Sequence, residues 1–421
     1  MSIATPLGRS QDLSSVLEGG IRALYQPIVE LATGRVVAYE ALARGPQGSS
    51  LESPLALFGA ARAQGLLARL DLACATAAVA GALDGGLHAP ASLFVNAEPE
   101  ALSAGAPMHP AALDAVEAGL PIVVEITERA LTHQPAELLE AVDRLRTAGF
   151  GIALDDVGAD ERSLALLPLL RPDIVKLDIS IIQGHPSRMS GEVMNGVCAY
   201  AEATGAGVVA EGIEDEHHVA AAESLGATLG QGWYFGRPAP LPHRPPTAEP
   251  ATRLRVAPRH LPASPVALVH RRRSLRTGRK DVLLSASRAL ESKALGLGPH
   301  AVVVAAFQDV RHFTLATQLR YRQLADRTAF VAALGVGMGT EPAPGVRGGD
   351  LARNDILRHE WNIAVLGPHY AGALVARDLG DDGPEHHRRF EFVLTFDRDL
   401  VVDVTAALIR HVGGLAVANG T

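Results

Sequence analysis

The sequence predicts an α/β protein: a modified (β/α)8 TIM-type barrel with an antiparallel first strand, then a second, smaller α/β domain. Three observations carry this reading. Strand-like and helical stretches alternate regularly over the first 240 or so residues, one early connection is too short for a crossover, and a proline-dense join precedes a renewed alternation. Apolar strand-like runs fall at 21–29, 36–43, 92–95, 122–126, 151–155, 174–177, 207–210 and 229–235. Helical patterns such as 135–148 and 217–225 lie between most of them. Eight strands with intervening helices over that length fit a closed barrel. Only Glu30 to Arg35 separates the first two runs. That stretch cannot hold a helical crossover, so the pair forms an antiparallel hairpin. An open doubly wound sheet shares the alternation, but no glycine-rich turn follows the first strand, which disfavours a dinucleotide-binding domain.

At 421 residues the chain is long enough for two or three domains, each burying its own core. Hydrophobic residues at 48% and charged residues at 20% exclude a disordered or fibrous chain. Cys74 and Cys198 are the only cysteines and sit in unrelated contexts. Neither a disulfide framework nor a cysteine zinc site is expected, and a reducing cytoplasm suits the chain. No basic stretch followed by an apolar core opens the sequence, and no apolar run reaches ~18 residues. A soluble cytoplasmic protein without membrane contact is expected. The net charge of −8 divides unevenly: residues 1–241 hold 14 Lys/Arg against 29 Asp/Glu, and the rest hold 24 against 17. The acidic excess argues against nucleic-acid binding by the first part and suits a cation site.

The join runs from Pro238 to Pro265, where prolines are too dense for a helix or a central strand. The expected divisions are an N-terminal tail at 1–18, the barrel at 19–241, a proline-rich linker at 242–262 and the second domain at 263–415.

Placed on the strands, the polar residues fall almost entirely at carboxyl ends. Glu40 lies in the second strand, Asn96 ends the third, and Glu125 and Glu128 end the fourth. Asp155 and Asp156 end the fifth, Lys176 and Asp178 the sixth, Glu211 and Glu214 the seventh, and Gln231 opens the last. In a barrel these ends meet at one mouth, where active sites are built. A single acid at a strand end is ordinarily a helix cap or a solvated loop residue. Acids or amides at most successive ends differ, because carboxylates crowded into a partly desolvated cavity repel one another. Divalent cations with oxygen ligands, Mg²⁺ or Mn²⁺, are the natural neutraliser. No cysteine or histidine pair joins the set, so a zinc-type site is not expected. Lys176 is the only lysine in the first 241 residues, stands among apolar neighbours and is expected to point into the mouth with Asp178. It serves there as half of a structural ion pair, or as a cation that orients an attacking water or stabilises charge at phosphorus. An enolase-type barrel also combines carboxylates, a metal and a lysine. It fits the Glu-x-Leu-x-Arg strand and the asparagine less well.

These residues also form an ordered set of motifs. Gln26-Pro27-Ile28 precedes Glu40-Ala41-Leu42-Ala43-Arg44; Phe94-Val95-Asn96, Glu125-Ile126-Thr127-Glu128, Leu154-Asp155-Asp156 and Lys176-Leu177-Asp178 follow. Ala210-Glu211-Gly212-Ile213-Glu214 and Gln231-Gly232-Trp233-Tyr234-Phe235 complete it. Each is weak alone; the ordered set is specific. By it, residues ~20–240 resemble the EAL-domain cyclic di-GMP phosphodiesterases. The resemblance implies a two-metal Mg²⁺ or Mn²⁺ site with Glu40, Asn96, Glu125 and Asp155 as metal ligands and Asp156 at the second metal. Lys176 and Glu211 would position or deprotonate the nucleophilic water, and Gln231 would hold that network. Arg44 would grip a substrate phosphate with its forked donors. Gln26, Pro27 and Leu42 would line the guanine-nucleotide pocket, and Asp178 and Glu214 are grouped with these binding residues. The implied reaction is hydrolysis of cyclic di-GMP to linear pGpG without a covalent enzyme intermediate, in a homodimer formed through the barrel.

One stretch departs from the family. After Asp155-Asp156 the pattern is Phe-Gly, a small residue, Gly, an aromatic and two serines; here it is Val157-Gly158-Ala159-Asp160-Glu161-Arg162-Ser163. The stretch resembles the family's lid, and Glu128 resembles the glutamate that braces it. The rival to an active enzyme is a receptor that binds cyclic di-GMP and signals by conformation.

After the join, strands are expected at 301–307, 330–336, 361–366 and 390–396, with helices at 283–294, 314–325 and 401–411. The motifs Tyr321-Arg322-Gln323-Leu324-Ala325, Glu360-Trp361, Leu366-Gly367-Pro368, Leu374-Val375-Ala376-Arg377-Asp378 and Leu394-Thr395-Phe396-Asp397 resemble the DICT domain, a sensory module. That resemblance implies regulation of the barrel by a ligand or protein of unknown identity. The basic run from His270 to Lys280 reads as solvated surface or as an electrostatic dock for the acidic barrel, ahead of a phosphate or nucleic-acid site. His217-His218 and His386-His387 read as surface pairs.

Overall fold

The computed structural model describes residues 13–103, 110–127, 134–243, 245, 248, 262, 264–381 and 384–413. The first part closes as an eight-stranded barrel: β1 (Arg22–Glu30), β2 (Val36–Arg44), β3 (Ser92–Asn96), β4 (Ile122–Thr127), β5 (Gly151–Val157), β6 (Ile174–Leu177), β7 (Gly207–Ala210) and β8 (Leu229–Gln231). As the short connection requires, β1 runs antiparallel to β2, and it closes the barrel antiparallel to β8. The turn between β1 and β2 is tight because Gly34 takes φ +67 and its N–H returns to Glu30 O at 2.8 Å. The other neighbours pair in parallel, with helices between them.

These helices are α1 (Leu13–Leu17), α2 (Pro54–Ala63), α3 (Leu67–Asp84), α4 (Pro99–Ser103), α5 (Pro110–Glu117), α6 (Pro135–Thr147), α7 (Leu167–Leu170), α8 (Ile179–Gln183), α9 (Arg188–Thr204) and α10 (Glu216–Ser224). Helix α1 falls within the expected tail, yet its Leu13 and Val16 are buried in one apolar cluster with Leu57 of α2 and Leu70 of α3. No described helix is long and apolar enough to cross a membrane.

The barrel interior explains the mouth. One apolar cluster plugs it, with Ile28, Ala38, Phe94, Val123, Ala153, Ile174, Val209 and Leu229 contributed by strands β1 to β8 in turn. Side chains on a strand return to the same face every second residue. Two residues further toward the mouth, counting backward on antiparallel β1, stand Gln26, Glu40, Asn96, Glu125, Asp155, Lys176, Glu211 and Gln231. The pleat alone therefore stacks one polar side chain from every strand above a dry plug. Register agrees: Gln26 pairs with Glu40, Asn96 with Glu125 and Ile28 with Gln231.

The second part is a seven-stranded mixed sheet. In chain order its strands are β9 (Arg276–Arg279), β10 (Val302–Asp309), β11 (Phe330–Val336), β12 (Arg347–Asp350), β13 (Glu360–Leu366), β14 (Ala371–Asp378) and β15 (Arg389–Thr395). In space they run β12-β11-β10-β13-β14-β15-β9. Interior strand β10 is buried on both faces. Val303 and Ala305 share a core with α12 (Lys280–Leu297) and α13 (Leu315–Ala325). Val302, Val304 and Ala306 join α11 (Pro265–His270), α14 (Arg398–Ile409) and the outer layer of the barrel in one continuous cluster. Sandwiched in this way, α14 buries every residue from Leu400 to Ile409, apolar apart from Asp403 and Thr405. At its end Arg410 forms an ion pair with Asp143 of α6.

A second join involves the segment just after β5. Asp160 caps the 3₁₀ turn Glu161–Ala165. His300, immediately before β10, sets Nδ1 2.7 Å from the Glu161 carbonyl oxygen and Nε2 3.1 Å from Glu192 Oε2 of α9. Three arginines of the basic run pair within the second domain: Arg272 with Asp403, Arg273 with Asp397 and Arg279 with Asp281.

Candidate metal centre at the barrel mouth

The polar ring converges on Lys176. Its Nζ lies 2.7 Å from Glu125 Oε1 and from Glu211 Oε1, 3.3 Å from Glu40 Oε2 and 3.4 Å from Asp155 Oδ1. Apolar neighbours hold this ammonium where only 1% of the side chain is exposed. Around it, Glu40 accepts hydrogen bonds from Asn96 Nδ2 at 3.0 Å and Gln231 Nε2 at 2.6 Å. Gln231 Nε2 also lies 3.3 Å from Gln26 Oε1, and Gln26 Nε2 donates to Gly236 O at 3.0 Å. An amide chain thus fixes the Glu40 carboxylate from below and from the side.

Asp156 follows Asp155 directly and on a regular strand would face outward. Two distortions bring it in. Pairing between β5 and β6 shifts register after Leu154, and Asp156 takes φ +55, a left-handed conformation that aspartate adopts more readily than most residues other than glycine. Carboxylate oxygens of Asp155, Asp156 and Glu211 then lie within 4.8 Å of one another.

One ammonium faces four carboxylates, and burial penalises every charge. Burial opposes ionisation of Glu40, but Lys176 and the bonds from Gln231 and Asn96 outweigh it and hold this carboxyl below its ordinary value. Burial and then the charge of Glu40 push Glu125 well above the carboxylate range, Lys176 notwithstanding. Glu211 is pushed up to about 7 by burial, against the pull of Lys176. Burial likewise disfavours the ammonium, yet Glu125, Glu211, Glu40 and Asp155 together keep Lys176 firmly protonated. Oxygens remain unmatched: Glu125 Oε2 and Gln231 Oε1 are buried without a hydrogen-bond partner, and Glu125 Oε1 and Asp155 Oδ1 have only Lys176 close by. Buried acceptors of this kind call for another cation, and an all-oxygen set with one amide suits a hard divalent ion. The residues present fit such an ion.

The ring gathers Gln26, Glu40, Asn96, Glu125, Asp155, Asp156, Lys176, Glu211 and Gln231. Pro27 and Leu42 are half-buried on β1 and β2, and Arg44, at the end of β2, donates to Ala43 O at 2.8 Å. Two expected members stand apart. Asp178 caps α8, its Oδ1 accepting from Ser180 N at 2.9 Å, rather than facing the mouth with Lys176. Glu214 is exposed in the loop before α10, a turn where its own N–H meets His218 Nδ1 at 3.2 Å. Glu128 lies outside the described residues. Glu211, expected to act on water, lies beside the two aspartates with its Oε1 2.7 Å from Lys176 Nζ. The step of two residues from the plug is the sequence signal that places it on the inner face.

A family model described as "EAL domain" matches residues 10–238, and one described as "Sensory domain in DIguanylate Cyclases and Two-component system" matches 267–379. The chain is 32% identical over 243 residues to the cyclic di-GMP phosphodiesterase RocR of Pseudomonas aeruginosa, covering 53% of this chain and 59% of that one. It is 32% identical over 230 residues to NbdA, a cyclic di-GMP phosphodiesterase of the same organism, covering 52% and 29%. The chain therefore spans less than two thirds of these relatives' length. Among solved structures, the manganese and cyclic di-GMP complex of Klebsiella pneumoniae BlrP1 aligns with 32% identity and a TM-score of 0.46, covering 52% of this chain and 56% of that one. The PaMucR phosphodiesterase in complex with cyclic di-GMP aligns with 27% identity and a TM-score of 0.47, covering 54% and 96%. Barrel, mouth and family match agree over the same residues: the chain belongs to the EAL-domain family, and it carries a DICT domain behind the barrel.

Proposed function

We propose that this protein hydrolyses cyclic di-GMP to linear pGpG at the barrel mouth with Mg²⁺ or Mn²⁺, under control of the second domain. The observation that carries the reading is the polar ring, one side chain per strand, whose carboxylates outnumber the single buried ammonium and leave acceptor oxygens unmatched. Glu40, Asn96, Glu125 and Asp155 would hold one ion, and Asp155, Asp156 and Glu211 a second. Bound there, divalent cations would lower the pKa of a water and stabilise charge on the phosphodiester oxygens. Lys176 keeps the crowded carboxylates in place and presents a positive charge beside the attacked phosphorus. Gln231 and Asn96 orient Glu40, and Arg44, at the rim, is placed to receive a phosphate with its paired donors. A substrate of two phosphodiester links and a purine-bearing ring agrees with the relatives named above.

Control would run through the segment between β5 and α7. It follows Asp155 and Asp156 of β5 and holds the departure from the family pattern: Asp160 caps the turn, and the second domain meets that turn where His300 faces the Glu161 backbone carbonyl. A shift of β10 would reach the two aspartates through one short turn.

The test is chromatography of products after incubating full-length protein with cyclic di-GMP and Mg²⁺ or Mn²⁺, with and without EDTA, beside Glu40→Gln. Metal-dependent pGpG absent from the variant supports the reading. Binding of cyclic di-GMP without turnover would replace it with a receptor, and neither binding nor turnover would overturn it.

A further inference from the structure

The second domain contains a cleft that none of the roles above uses. A cavity of about 650 Å³ and another of about 360 Å³ meet at Gln308 and Arg311, at the carboxyl end of β10. That size suits a small organic ligand. The larger chamber carries three aromatic rings, Phe307, Trp361 and Phe390, and the last two meet edge to face at 5.7 Å. The smaller one is lined mostly by charge.

The charges do not balance. Seven Lys and Arg side chains line the two chambers against four Asp and Glu. Glu291 is taken by Arg320 at 2.9 Å, Glu385 by Lys280 and Arg388, and Asp378 by Arg388. Among the described residues no ion pair holds Arg311, which faces both chambers, or Arg288, Arg353 and Arg358 around it. The surplus is felt by a neighbour. His312 is pushed down to about 4 by burial and by Lys280, against Glu385, with Arg311 and Arg388 adding to the effect. It is therefore neutral, and its buried Nε2 has no hydrogen-bond partner. Behind Phe307, which it meets edge to face at 5.3 Å, the hydroxyl of fully buried Tyr321 is also unmatched. At the junction Gln308 is buried and takes φ +68, a left-handed strain of the kind that concentrates at ligand sites.

We propose that this two-chambered cleft is the ligand site of the second domain and takes a small anionic aromatic molecule. Its ring lies among Phe307, Trp361 and Phe390, and its phosphate or carboxylate faces Arg311. The position gives the site a route to the barrel: the cleft sits at one end of β10 and His300 precedes the other, ~26 Å away for an eight-residue strand.

The experiment uses full-length Trp233→Phe, which leaves Trp361 as the sole tryptophan, so its emission reports the cleft and not the barrel mouth. Phenyl phosphate and benzoate are the complete probes; inorganic phosphate and benzyl alcohol each carry one half of the chemistry. A saturable change with phenyl phosphate or benzoate is expected, and whichever binds tighter identifies the anion. The half-probes, and Arg311→Gln with the better probe, are expected to bind about tenfold or more weakly, as loss of a charge-assisted contact requires. Arg311→Lys recovers part of the affinity, and circular dichroism unchanged from the parent excludes misfolding. No saturable response to either complete probe overturns the proposal. So does a response that survives Arg311→Gln or is matched by benzyl alcohol.

Discussion

Replacing Lys176 by methionine should cost the free protein much of its stability and return most of it when a divalent cation is added. The side chain is nearly isosteric, so the change removes charge and little volume. Four carboxylates then remain within the space the ammonium served, two of them formerly at 2.7 Å. Breaking a buried ion pair in this way costs ~3–5 kcal/mol. Protonation of Glu125 and Glu211, both already pushed upward, absorbs part of the repulsion and keeps the loss within that range. For a domain of this size each kcal/mol moves the midpoint by ~2–4 °C, so the barrel transition should fall by ~6–20 °C in EDTA. Excess Mn²⁺ binds the folded state alone and adds ~2.7 kcal/mol at a hundred times its Kd. The ion should therefore raise the midpoint of Lys176→Met more than that of the parent. Differential scanning calorimetry of both proteins in EDTA and in Mn²⁺ reads the four values. A variant that unfolds within ~2 °C of the parent in EDTA, or that gains no more from metal, refutes the argument that the ring is short of cations.

Three further outcomes follow. Asp71, whose Oδ1 accepts from Glu98 N at 2.9 Å, is pushed by burial from 3.8 up to about 7. The folded state therefore holds this proton more tightly than the unfolded chain, and stability falls as pH rises from the ordinary carboxylate range through 7. Asp71→Asn should stabilise by at most ~4 kcal/mol at pH 8 and by less than half of that at pH 5, and equal gains at both pH values in urea titrations would sink the assignment. Gly158 takes φ +103 and a Cβ there would stand 2.5 Å from Ile181 Cγ1. Gly158→Ala should cost ~1–3 kcal/mol and lower turnover through displacement of the turn after Asp156; stability at the parent level would contradict the packing described. His300→Ala should speed amide hydrogen exchange at Glu161–Ala165 and change kcat with the global unfolding midpoint little altered, whereas unchanged exchange there would remove the proposed route between domains.

Much of the site was legible because it obeys short-range rules. The connection from Glu30 to Arg35 forced a hairpin, and the hairpin set Gln26 opposite Glu40. The apolar residue two positions before each polar strand end marked the inner face. What misled was that an acid at a strand end looks the same whether it faces the mouth or caps a helix: Asp178 does the second, and only its backbone geometry tells. The last strand ends at Gln231 rather than running to 235, since Gly232 lies so close to the Ile213 backbone that no side chain would fit. In the second domain β9 and β12 were invisible. Arg276–Arg279 and Arg347–Asp350 carry no apolar pattern and exist because β15 and β11 offer them hydrogen bonds at the sheet edges. Strand β14 lies outside the expected strands although its apolar run is plain, and without it the sheet could not be ordered. Docking of the two domains through α14 and His300 depends on residues more than a hundred positions apart, which no local pattern encodes.

The central claim is that water, activated at this acidic mouth with divalent metal, opens one phosphodiester bond of cyclic di-GMP. Mass spectrometry of a single turnover in oxygen-18 water tests it most directly. The account predicts linear pGpG carrying one oxygen-18 atom in its terminal phosphate, formed with Mg²⁺ or Mn²⁺ and lost with EDTA and in Glu40→Gln. Unlabelled product, or labelled product that persists in either of those controls, would contradict it.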